Sequence, residues 1–233
     1  MKIALISPTL EEGKHLSYYL KKIQGHTFHF YQGKFKKNNI YLVISGIGKS
    51  NAASATTYII NKLSPDLLIL FGIAGAYPSS GLSIRDVAIA EREFYGDEGI
   101  IMRDGFHTLD FIGIPLLKKG NNKFFNEFSF SKRVITMAKR AIKGPVKVGN
   151  FVTLSSITGT TDRAIKLARA FNALCENMEG AAFAHICKIF KKEMIEIRGI
   201  SNIVEERDRS RWDIKGAIMS CNNALIDILN NLH

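Results

Sequence analysis

Five polar side chains stand near the ends of predicted buried strands, and together they could carry out proton-transfer chemistry. Glu11 and Glu12 follow the first apolar run of the chain, and Glu179 belongs to a later ENMEG segment. Arg198 and Asn202 stand at the end of another apolar run. Because ligands of open α/β sheets bind at the carboxyl ends of the strands, we expect these side chains to converge. Carboxylates can accept protons and a guanidinium can orient them, which suits acid–base catalysis.

Two sequence motifs, the ENMEG segment and the glycine-rich turns that follow two predicted strands, also have purely structural interpretations. The carboxylates of Glu176 and Glu179 are three residues apart, and at a helix start they could simply cap the helix and complement its dipole. The glycine-rich turns at 45–48 and 72–75 fit plain chain reversal as well as close approach of a ligand to the backbone. Neither turn matches the dinucleotide fingerprint or the phosphate loop, which disfavours binding of dinucleotides and nucleoside triphosphates.

The elements that must position these residues alternate between short apolar strands and longer amphipathic helices. Strands are predicted over 2–7, 39–44, 66–71, 85–92 and 194–199. Helices are predicted over 11–22, 50–63, 131–142, 161–171, 178–190 and 215–232. The alternation indicates a single α/β domain over residues 1–233, a three-layer sandwich in which helices flank a mixed, mostly parallel central sheet. Residues 96–131 lack this pattern and should form either a poorly packed insertion or a lid over a site.

The composition limits the possible functions. The 233 residues include 32 basic and 21 acidic side chains, and the net charge of +11 suits a nucleic acid, an acidic lipid surface or an anionic small substrate. No histidine pair has zinc spacing, so we expect no metal. Since the dinucleotide and phosphate-loop motifs are also missing, we expect no other cofactor. The longest apolar run, 67–77, is too short to cross a bilayer. Three cysteines without a C-x-x-C motif, and no signal-peptide pattern, favour a reduced, cytoplasmic protein.

Five motifs in a fixed order carry a family resemblance. They are the Glu11-Glu12 pair, SGIGK at 45–49, GIAGA at 72–76, ENMEG at 176–180 and RGISN at 198–202. Together they resemble the purine nucleoside phosphorylase and nucleosidase superfamily over nearly the whole chain. Within it, the Pro8-Thr9 pair with Glu12 and the segments 151–160 and 201–214 are most similar to the futalosine hydrolases. The methylthioadenosine/S-adenosylhomocysteine nucleosidases are near relatives, so the resemblance implies a nucleoside-phosphorylase-like fold that cleaves N-glycosidic bonds.

The resemblance also implies roles for individual residues. Glu179 would hold the ribose 2′- and 3′-hydroxyls and favour the cationic state of the sugar, with Met178 packed beneath it. Arg198 would orient this carboxylate and help to position the attacking water. Glu12 would take a proton from that water, with its neighbour Glu11 as the competing candidate. Further substrate contacts would come from Ile73, Ala74, Gly75, Ile157 and Thr158.

The same positions favour hydrolysis over phosphorolysis. A phosphorylase needs basic residues or free backbone amides where its phosphate lies. The corresponding loop here offers Leu10-Glu11-Glu12, and the GIAGA turn carries the apolar Ile73 and no arginine. A phosphate beside a carboxylate in a pocket of low dielectric would be repelled.

Asn202 indicates which purine is released. By the resemblance, relatives that act on adenine nucleosides carry Asp at this position. A carboxamide can donate to a 6-oxo group and accept from a protonated N7, which matches hypoxanthine, whereas an ionised carboxylate would repel the 6-oxo group. The departure also removes the usual general acid, so the proton for the purine must come from solvent or from another group. The alternative is a structural asparagine that caps the strand end.

The segment 205–214 mixes charges and contains the only tryptophan, Trp212. It fits a solvated, salt-bridged loop before the last helix. In the functional interpretation, Arg207, Arg209 or Arg211 binds the distal carboxylate of futalosine beside Trp212, because a guanidinium over an aromatic wall suits a benzoate. The sequence does not distinguish among the three arginines.

Three functions therefore compete. The favoured one is hydrolysis of futalosine to hypoxanthine and dehypoxanthine futalosine in the alternative menaquinone pathway, by a homodimer in which residues 96–110 lie near the 5′ end of the partner's nucleoside. The second is a nucleosidase for methylthioadenosine, S-adenosylhomocysteine or aminodeoxyfutalosine, against which Asn202 argues. The third is a basic nucleic-acid-binding module. Its support is a stripe of basic residues on one predicted helix: Lys132, Arg133, Lys139, Arg140 and Lys143.

Overall fold

A computed structural model describes residues 1–232, which form fourteen strands and six α-helices. The strands are β1 (Lys2–Ser7), β2 (Lys21–Ile23), β3 (His29–Phe35), β4 (Asn38–Ile44), β5 (Leu67–Ala76), β6 (Val87–Tyr95), β7 (Gly99–Met102), β8 (Gly105–Thr108), β9 (Leu117–Lys119), β10 (Asn122–Phe124), β11 (Glu127–Ser129), β12 (Val146–Thr153), β13 (Ala173–Asn177) and β14 (Glu193–Ile203). The helices are α1 (Leu10–Ser17), α2 (Lys49–Leu63), α3 (Lys132–Ala141), α4 (Thr161–Phe171), α5 (Gly180–Ile189) and α6 (Ile214–Asn231).

Ten of these strands form one mixed sheet. Its order is β11-β6-β12-β13-β5-β1-β4-β3-β2, and β14 pairs with both β5 and β6. The pairs of β1 with β4 and β5, of β14 with β5, and of β12 with β6 and β13 are parallel. The pairs β13–β5 and β14–β6 are antiparallel, and because β14 bridges β5 and β6 the sheet closes on itself at its centre. The mixed sheet and its helices confirm the predicted α/β class.

The central strands are buried on both faces, which explains their unbroken apolar sequences. The side chains of Ile3–Ile6 in β1 and of 68–71 in β5 are fully buried. Helices α2 and α5 pack against each other, whereas α6 packs against β14, β5, α1 and α3. No helix within residues 1–232 is long and apolar enough to cross a membrane.

Several predicted boundaries were wrong. The helix predicted over 11–22 ends at Ser17, and Lys21–Ile23 is instead an edge strand. The strands predicted over 66–71 and 194–199 continue to Ala76 and Ile203. The glycines at 72–75 therefore lie within a strand and do not reverse the chain. The sequence pattern also does not predict β2, β3, β12 or β13, and α5 begins at Gly180 rather than at Met178.

Residues 96–131 form small β-elements on the outside of the sheet. The pairs β7–β8 and β9–β10 are separate two-stranded sheets, and β11 adds to the main sheet beside β6. None of these residues lines the cavity of the same chain that is described below. The lid predicted as one alternative for this segment is therefore not formed over the chain's own cavity.

Candidate active site

A cavity of about 350 Å³ lies where β1, β5, β13 and β14 end. Residues that follow or complete these strands form its walls, together with the first turn of α1 and the start of α6. Glu12, Glu179, Arg198 and Asn202 all line it, so the side chains singled out from the sequence do meet in one place. Their individual roles stay predictions.

Glu12 projects from the first turn of α1, where it forms a capping box with Thr9. The Thr9 hydroxyl and amide donate to Oε2 at 2.6 and 3.0 Å, and the Ile73 amide donates to Oε1 at 2.9 Å. Glu12 is 5% exposed. This burial raises the pKa of Glu12 above its ordinary value, and the hydrogen bonds from Thr9 and Ile73 lower it in part. Glu11 also lines the cavity but is exposed, so only Glu12 is held in a fixed orientation.

Two glycines of β5 make room for the polar groups of the site. A Cβ at Gly72 would lie 2.6 Å from Glu12 Oε1 and 3.1 Å from Arg198 Nη1. A Cβ at Gly75 would lie 3.2 Å from Asn202 Nδ2. The glycines therefore let three polar side chains approach a continuous strand, which explains why they occur in an otherwise apolar segment.

Arg198 and Glu179 form a buried ion pair beside Glu12. Arg198 Nη1 donates to Glu179 Oε2 and to the Ile73 carbonyl, each at 3.2 Å, and Nε donates to Glu196 Oε1 at 2.9 Å. Burial opposes the charge of Arg198, but the carboxylates of Glu196 and Glu179 outweigh it and raise its pKa. Glu179 is the N-cap residue of α5, and its Oε1 accepts from the Gly48 amide at 2.9 Å. The glycine turn at 45–48 therefore holds Glu179 through this amide.

Asn202 stands on β14 at a register shift of the sheet. Its Oδ1 accepts from the Ser201 hydroxyl at 2.8 Å, and its Nδ2 donates to the Ile203 carbonyl at 3.2 Å. One N–H and one lone pair of the carboxamide remain free for a ligand. The residue is nearly buried and lines the cavity.

Glu176 is a cavity residue that the sequence did not assign to the site. It lies in β13 and not at a helix start, and it pairs with Gly75 from the side opposite to Asn202. Its Oε1 accepts from the Thr158 amide at 2.7 Å and its Oε2 from the Tyr77 hydroxyl at 3.1 Å. The short apolar run that precedes it is the signal that could have placed it at a strand end.

The other predicted substrate contacts divide into those at the cavity and those outside it. The ones at the cavity are Ile73, Ala74, Gly75, Ile157, Thr158, Met178 and Trp212. Within residues 1–232, the buried hydroxyl of Thr158 has no hydrogen-bond partner, which leaves it available to a bound molecule.

The three arginines of the segment before α6 have different surroundings. The Arg207 guanidinium lies 5.1 Å from the centre of the Trp212 ring, and both residues line a neighbouring pocket of about 60 Å³. Arg211 is paired with Glu205 at 2.5 Å. Arg209 lines neither pocket. Of the predicted arginines, the structure therefore brings Arg207 and the paired Arg211, and not Arg209, to the pocket beside Trp212.

The charged residues of the cavity wall are mostly acidic. Its acidic residues are Glu11, Glu12, Glu176 and Glu179, and among residues 1–232 Arg198 is its only basic residue. Lys49, which follows the glycine turn at 45–48, is paired with Asp97 and Glu98 at 2.5 and 3.0 Å. The described part of the chain contains no group of three His, Cys, Asp or Glu side chains arranged to hold a metal ion.

Known proteins are similar in sequence to this chain over most of its length. The sequence profile of the phosphorylase superfamily matches residues 2–232. Futalosine hydrolase of Thermus thermophilus is 32% identical over 226 residues, which are 97% of this chain and 94% of that protein. A 5′-methylthioadenosine/S-adenosylhomocysteine nucleosidase of Staphylococcus aureus is 32% identical over 75% of this chain and 73% of that protein.

Solved structures share the fold as well. S-adenosylhomocysteine nucleosidase of Streptococcus pyogenes, in complex with 5-methylthiotubericidin, superposes with a TM-score of 0.85 at 25% identity. The superposition covers 100% of this chain and 98% of that one. With its profile match, its fold and the convergence of the five motifs at one cavity, the chain belongs to the phosphorylase superfamily.

Proposed function

We propose that this protein is a purine nucleosidase that hydrolyses futalosine to hypoxanthine and dehypoxanthine futalosine, as a step of the alternative menaquinone pathway. The observation that carries the proposal is the buried arrangement of Glu12, Arg198 and Glu179 at one cavity, where Arg198, the only basic lining residue among residues 1–232, is already paired. The similarity to a futalosine hydrolase over 97% of the chain supports the choice of substrate.

The sugar is the part of the substrate on which positive charge develops when the N-glycosidic bond breaks. Glu179 would accept hydrogen bonds from the two ribose hydroxyls, and its negative charge would stabilise the cationic sugar. The 3.2 Å contact from Arg198 fixes the direction of this carboxylate before the substrate binds. Met178, next to Glu179 on the cavity wall, would pack under the ring.

The nucleophile in this proposal is a water molecule activated by Glu12. As the C1′–N bond breaks, its electron pair stays on the purine, which takes up a proton from solvent. The water oxygen bonds to C1′ and one proton of the water passes to the Glu12 carboxylate. Hydrogen bonds from Thr9 and Ile73 hold this carboxylate in place. Since burial raises its pKa, Glu12 is a stronger proton acceptor than an exposed glutamate.

The charges at the cavity support hydrolysis rather than phosphorolysis. A bound phosphate would face several carboxylates, and the only basic lining residue within residues 1–232, Arg198, is already paired with Glu179 and Glu196. The Gly48 amide donates to Glu179, and Lys49 is paired with Asp97 and Glu98. A neutral water molecule does not meet this repulsion.

Two residues on either side of Gly75 support a 6-oxopurine as the leaving base. Hypoxanthine presents an acceptor at its 6-oxo group and a donor at the adjacent N1–H. The free N–H of Asn202 suits the first, and the carboxylate of Glu176 suits the second. Adenine reverses both groups. Its exocyclic amine would face the free N–H of Asn202, and the lone pair of its N1 would face the carboxylate of Glu176.

Arg207 is the arginine that we propose for the distal carboxylate of futalosine. Its guanidinium lies over the ring of Trp212, which lines both the main cavity and the neighbouring pocket. A guanidinium supported by an aromatic ring can bind a benzoate with two parallel hydrogen bonds. Arg211 is already paired with Glu205.

A homodimer is the assembly that fits the outer β-elements. The segment 100–114 exposes large apolar side chains, among them Ile101 at 85% and Phe111 at 59%. An apolar surface of this kind is typical of a protein–protein contact. We propose that a second copy of the chain covers it, which would bring this segment towards the partner's nucleoside.

We place the reaction in the cytoplasm. The three cysteines, Cys175, Cys187 and Cys221, are buried free thiols. Unpaired thiols of this kind are typical of proteins in a reducing compartment.

The second candidate is a nucleosidase for methylthioadenosine, S-adenosylhomocysteine or aminodeoxyfutalosine, which the 32% identity to a Staphylococcus aureus enzyme favours.

A single set of assays separates the two functions. Purified protein is incubated with futalosine, inosine, adenosine or methylthioadenosine, each with and without phosphate, and the released bases are separated by chromatography. We expect hypoxanthine from futalosine, at the same rate with and without phosphate. Release of adenine from methylthioadenosine at comparable efficiency would refute the assignment of the base.

A further inference from the structure

Two further carboxyl groups lie behind the cavity, and the proposed reaction does not use them. Glu93 on β6 and Glu196 on β14 are fully buried, and neither lines the cavity. A Cβ at Gly180 would lie 2.5 Å from both carboxylate oxygens of Glu196 and would overlap Glu93 Oε1. The two carboxyl groups therefore lie side by side over the backbone of Gly180, where no larger residue fits.

Two ionised carboxylates could not share this position without strong repulsion. Among residues 1–232, no donor reaches the buried Glu196 Oε2, and an acid proton on Glu93 is the group placed to satisfy it. Burial raises the pKa of Glu93 well above its ordinary value, and the charge of Glu196 raises it further. Burial also raises the pKa of Glu196, but Arg198 at 2.9 Å lowers it. The nearby Tyr95 and Cys175 stay neutral because burial raises both pKa values. Because Arg198 Nε donates directly to Glu196 Oε1, we assign the ionised state to Glu196.

The pair is connected to the proposed catalytic groups by two routes, which meet where Arg198 Nη2 donates to Asn177 Oδ1 at 3.3 Å. Glu196 Oε1 accepts from Arg198 Nε at 2.9 Å, and Arg198 in turn donates to Glu179. Glu93 Oε1 accepts from Asn177 Nδ2 at 2.5 Å. Asn177 Oδ1 accepts from the Glu179 amide at 2.9 Å and from the amide that follows it at 2.7 Å. One carboxyl group thus holds the guanidinium, and the other holds the helix start that carries Glu179.

We propose that Glu93 and Glu196 share one proton and act as positioning residues for the buried Arg198, an inference that rests on the proposed nucleosidase function. The ionised Glu196 balances the charge of Arg198. Glu179 therefore keeps its own negative charge for the cationic sugar. The protonated Glu93 satisfies Glu196 without adding a further charge behind the cavity.

Two isosteric substitutions distinguish the members of the pair. Glu196→Gln removes the charge beside Arg198, whereas Glu93→Gln keeps a neutral hydrogen-bonding group where the structure assigns a neutral acid. Glu193→Gln, at the exposed start of the same strand, is the matched control. With futalosine, we expect Glu196→Gln to lower kcat about 10- to 100-fold with little change in KM. Glu93→Gln should lower kcat less than about fivefold, since only one hydrogen bond changes.

The pH profile separates a positioning role from a merely structural one. The charged groups that face Glu12 are Arg198, which lowers its pKa, and Glu179, which raises it. Because Glu196→Gln leaves Arg198 unbalanced, it should shift the acid limb of kcat/KM to lower pH, and Glu93→Gln should leave the limb in place. Loss of packing alone would lower Tm without moving the limb. An unmoved limb with kcat within about threefold of wild type, or equal shifts in both variants, would overturn the proposal.

Infrared spectroscopy tests the shared proton without any substrate. At neutral pH, wild-type protein should show the C=O stretch of a protonated, buried carboxyl group, and Glu93→Gln should lack it. Absence of this band from the wild type would overturn the proton sharing. If the wild type cleaves none of the nucleosides, the nucleosidase function and the positioning role fail together, whereas the band still reports the shared proton.

Discussion

Replacing Glu12 by Gln tests the proposed general base with little change in shape. The Gln side chain keeps one oxygen that can accept from Thr9 or from Ile73, and it presents an NH₂ group to the other donor. One buried backbone N–H then lacks an acceptor, which costs about 1–3 kcal/mol of unfolding free energy. The substitution also removes a destabilising feature of the native protein, namely the buried charge of the Glu12 carboxylate.

The destabilising effect of this charge follows from the raised pKa of Glu12. Burial disfavours the ionised form in the folded protein, so ionisation destabilises the fold as the pH rises through the folded-state pKa. At neutral pH, a Gln at position 12 is free of this penalty. We therefore expect the unfolding free energy to fall by no more than about 2 kcal/mol, which leaves the variant folded at room temperature.

Activity should respond far more strongly than stability. Loss of a general base lowers kcat by about 10²- to 10⁴-fold, whereas KM for futalosine should change little because Glu12 acts on the water. Hypoxanthine release under saturating futalosine gives kcat, and thermal melts of the same samples report folding. Glu11→Gln is the matched comparison, because this neighbour is exposed. A Glu12→Gln variant with more than about a tenth of wild-type kcat would refute the assignment, and an inactive Glu11→Gln would move the base to Glu11.

Four further expectations concern the base, the pH dependence, the distal end and the assembly. Asn202→Asp should lower kcat/KM for futalosine at least about 100-fold and improve cleavage of aminodeoxyfutalosine, as steady-state kinetics with both nucleosides would show. The acid limb of kcat/KM against pH should lie above the ordinary pKa of a glutamate, because Glu12 must be ionised to accept a proton and burial raises its pKa; a limb at the ordinary value would contradict its role. Arg207→Ala should raise KM for futalosine about 10- to 100-fold and leave inosine unaffected, with Arg209→Ala as the control that changes neither. Ile101→Lys should convert a dimer to a monomer in sedimentation experiments, and an unchanged sedimentation coefficient would exclude this surface as the interface.

The strands that the sequence predicts well are those whose two faces are both buried. β1 matches its predicted bounds and β4 differs by one residue, since an uninterrupted apolar run marks a central strand. The strand β3, next to the edge strand β2, alternates between exposed and more buried positions, and β12 contains Gly149 and Asn150, which weaken its strand signal. The helix predicted over 11–22 was too long because amphipathic composition alone does not mark where a short helix ends.

The candidate site could be predicted only where a local signal exists. The T-x-x-E pattern of Thr9 and Glu12 is a capping box, and it would have indicated from sequence which of the two adjacent carboxylates is fixed. Glu93 and Glu196 have no such signal, because they meet from strands far apart in the chain and no periodic pattern records their contact. Gly72 led to the wrong prediction of a turn for the same reason. A glycine is needed there because Glu12 of α1 and Arg198 of β14 approach the strand closely.

The net charge of +11 and the charge at the cavity have opposite signs, and they act on different steps. Acidic residues outnumber basic ones at the cavity wall, where Arg198 is the only basic residue within residues 1–232. A positive surface attracts an anionic nucleoside over long distances and so affects association. Bond cleavage creates a cationic sugar, which a negative cavity stabilises at short range. This cavity would repel an anionic substrate unless its carboxylate stayed outside, and binding beyond Trp212, where Arg207 lies, would meet that condition in the proposed function. In the proposed function, the overall charge therefore acts on association, while the opposite sign at the cavity acts on bond cleavage.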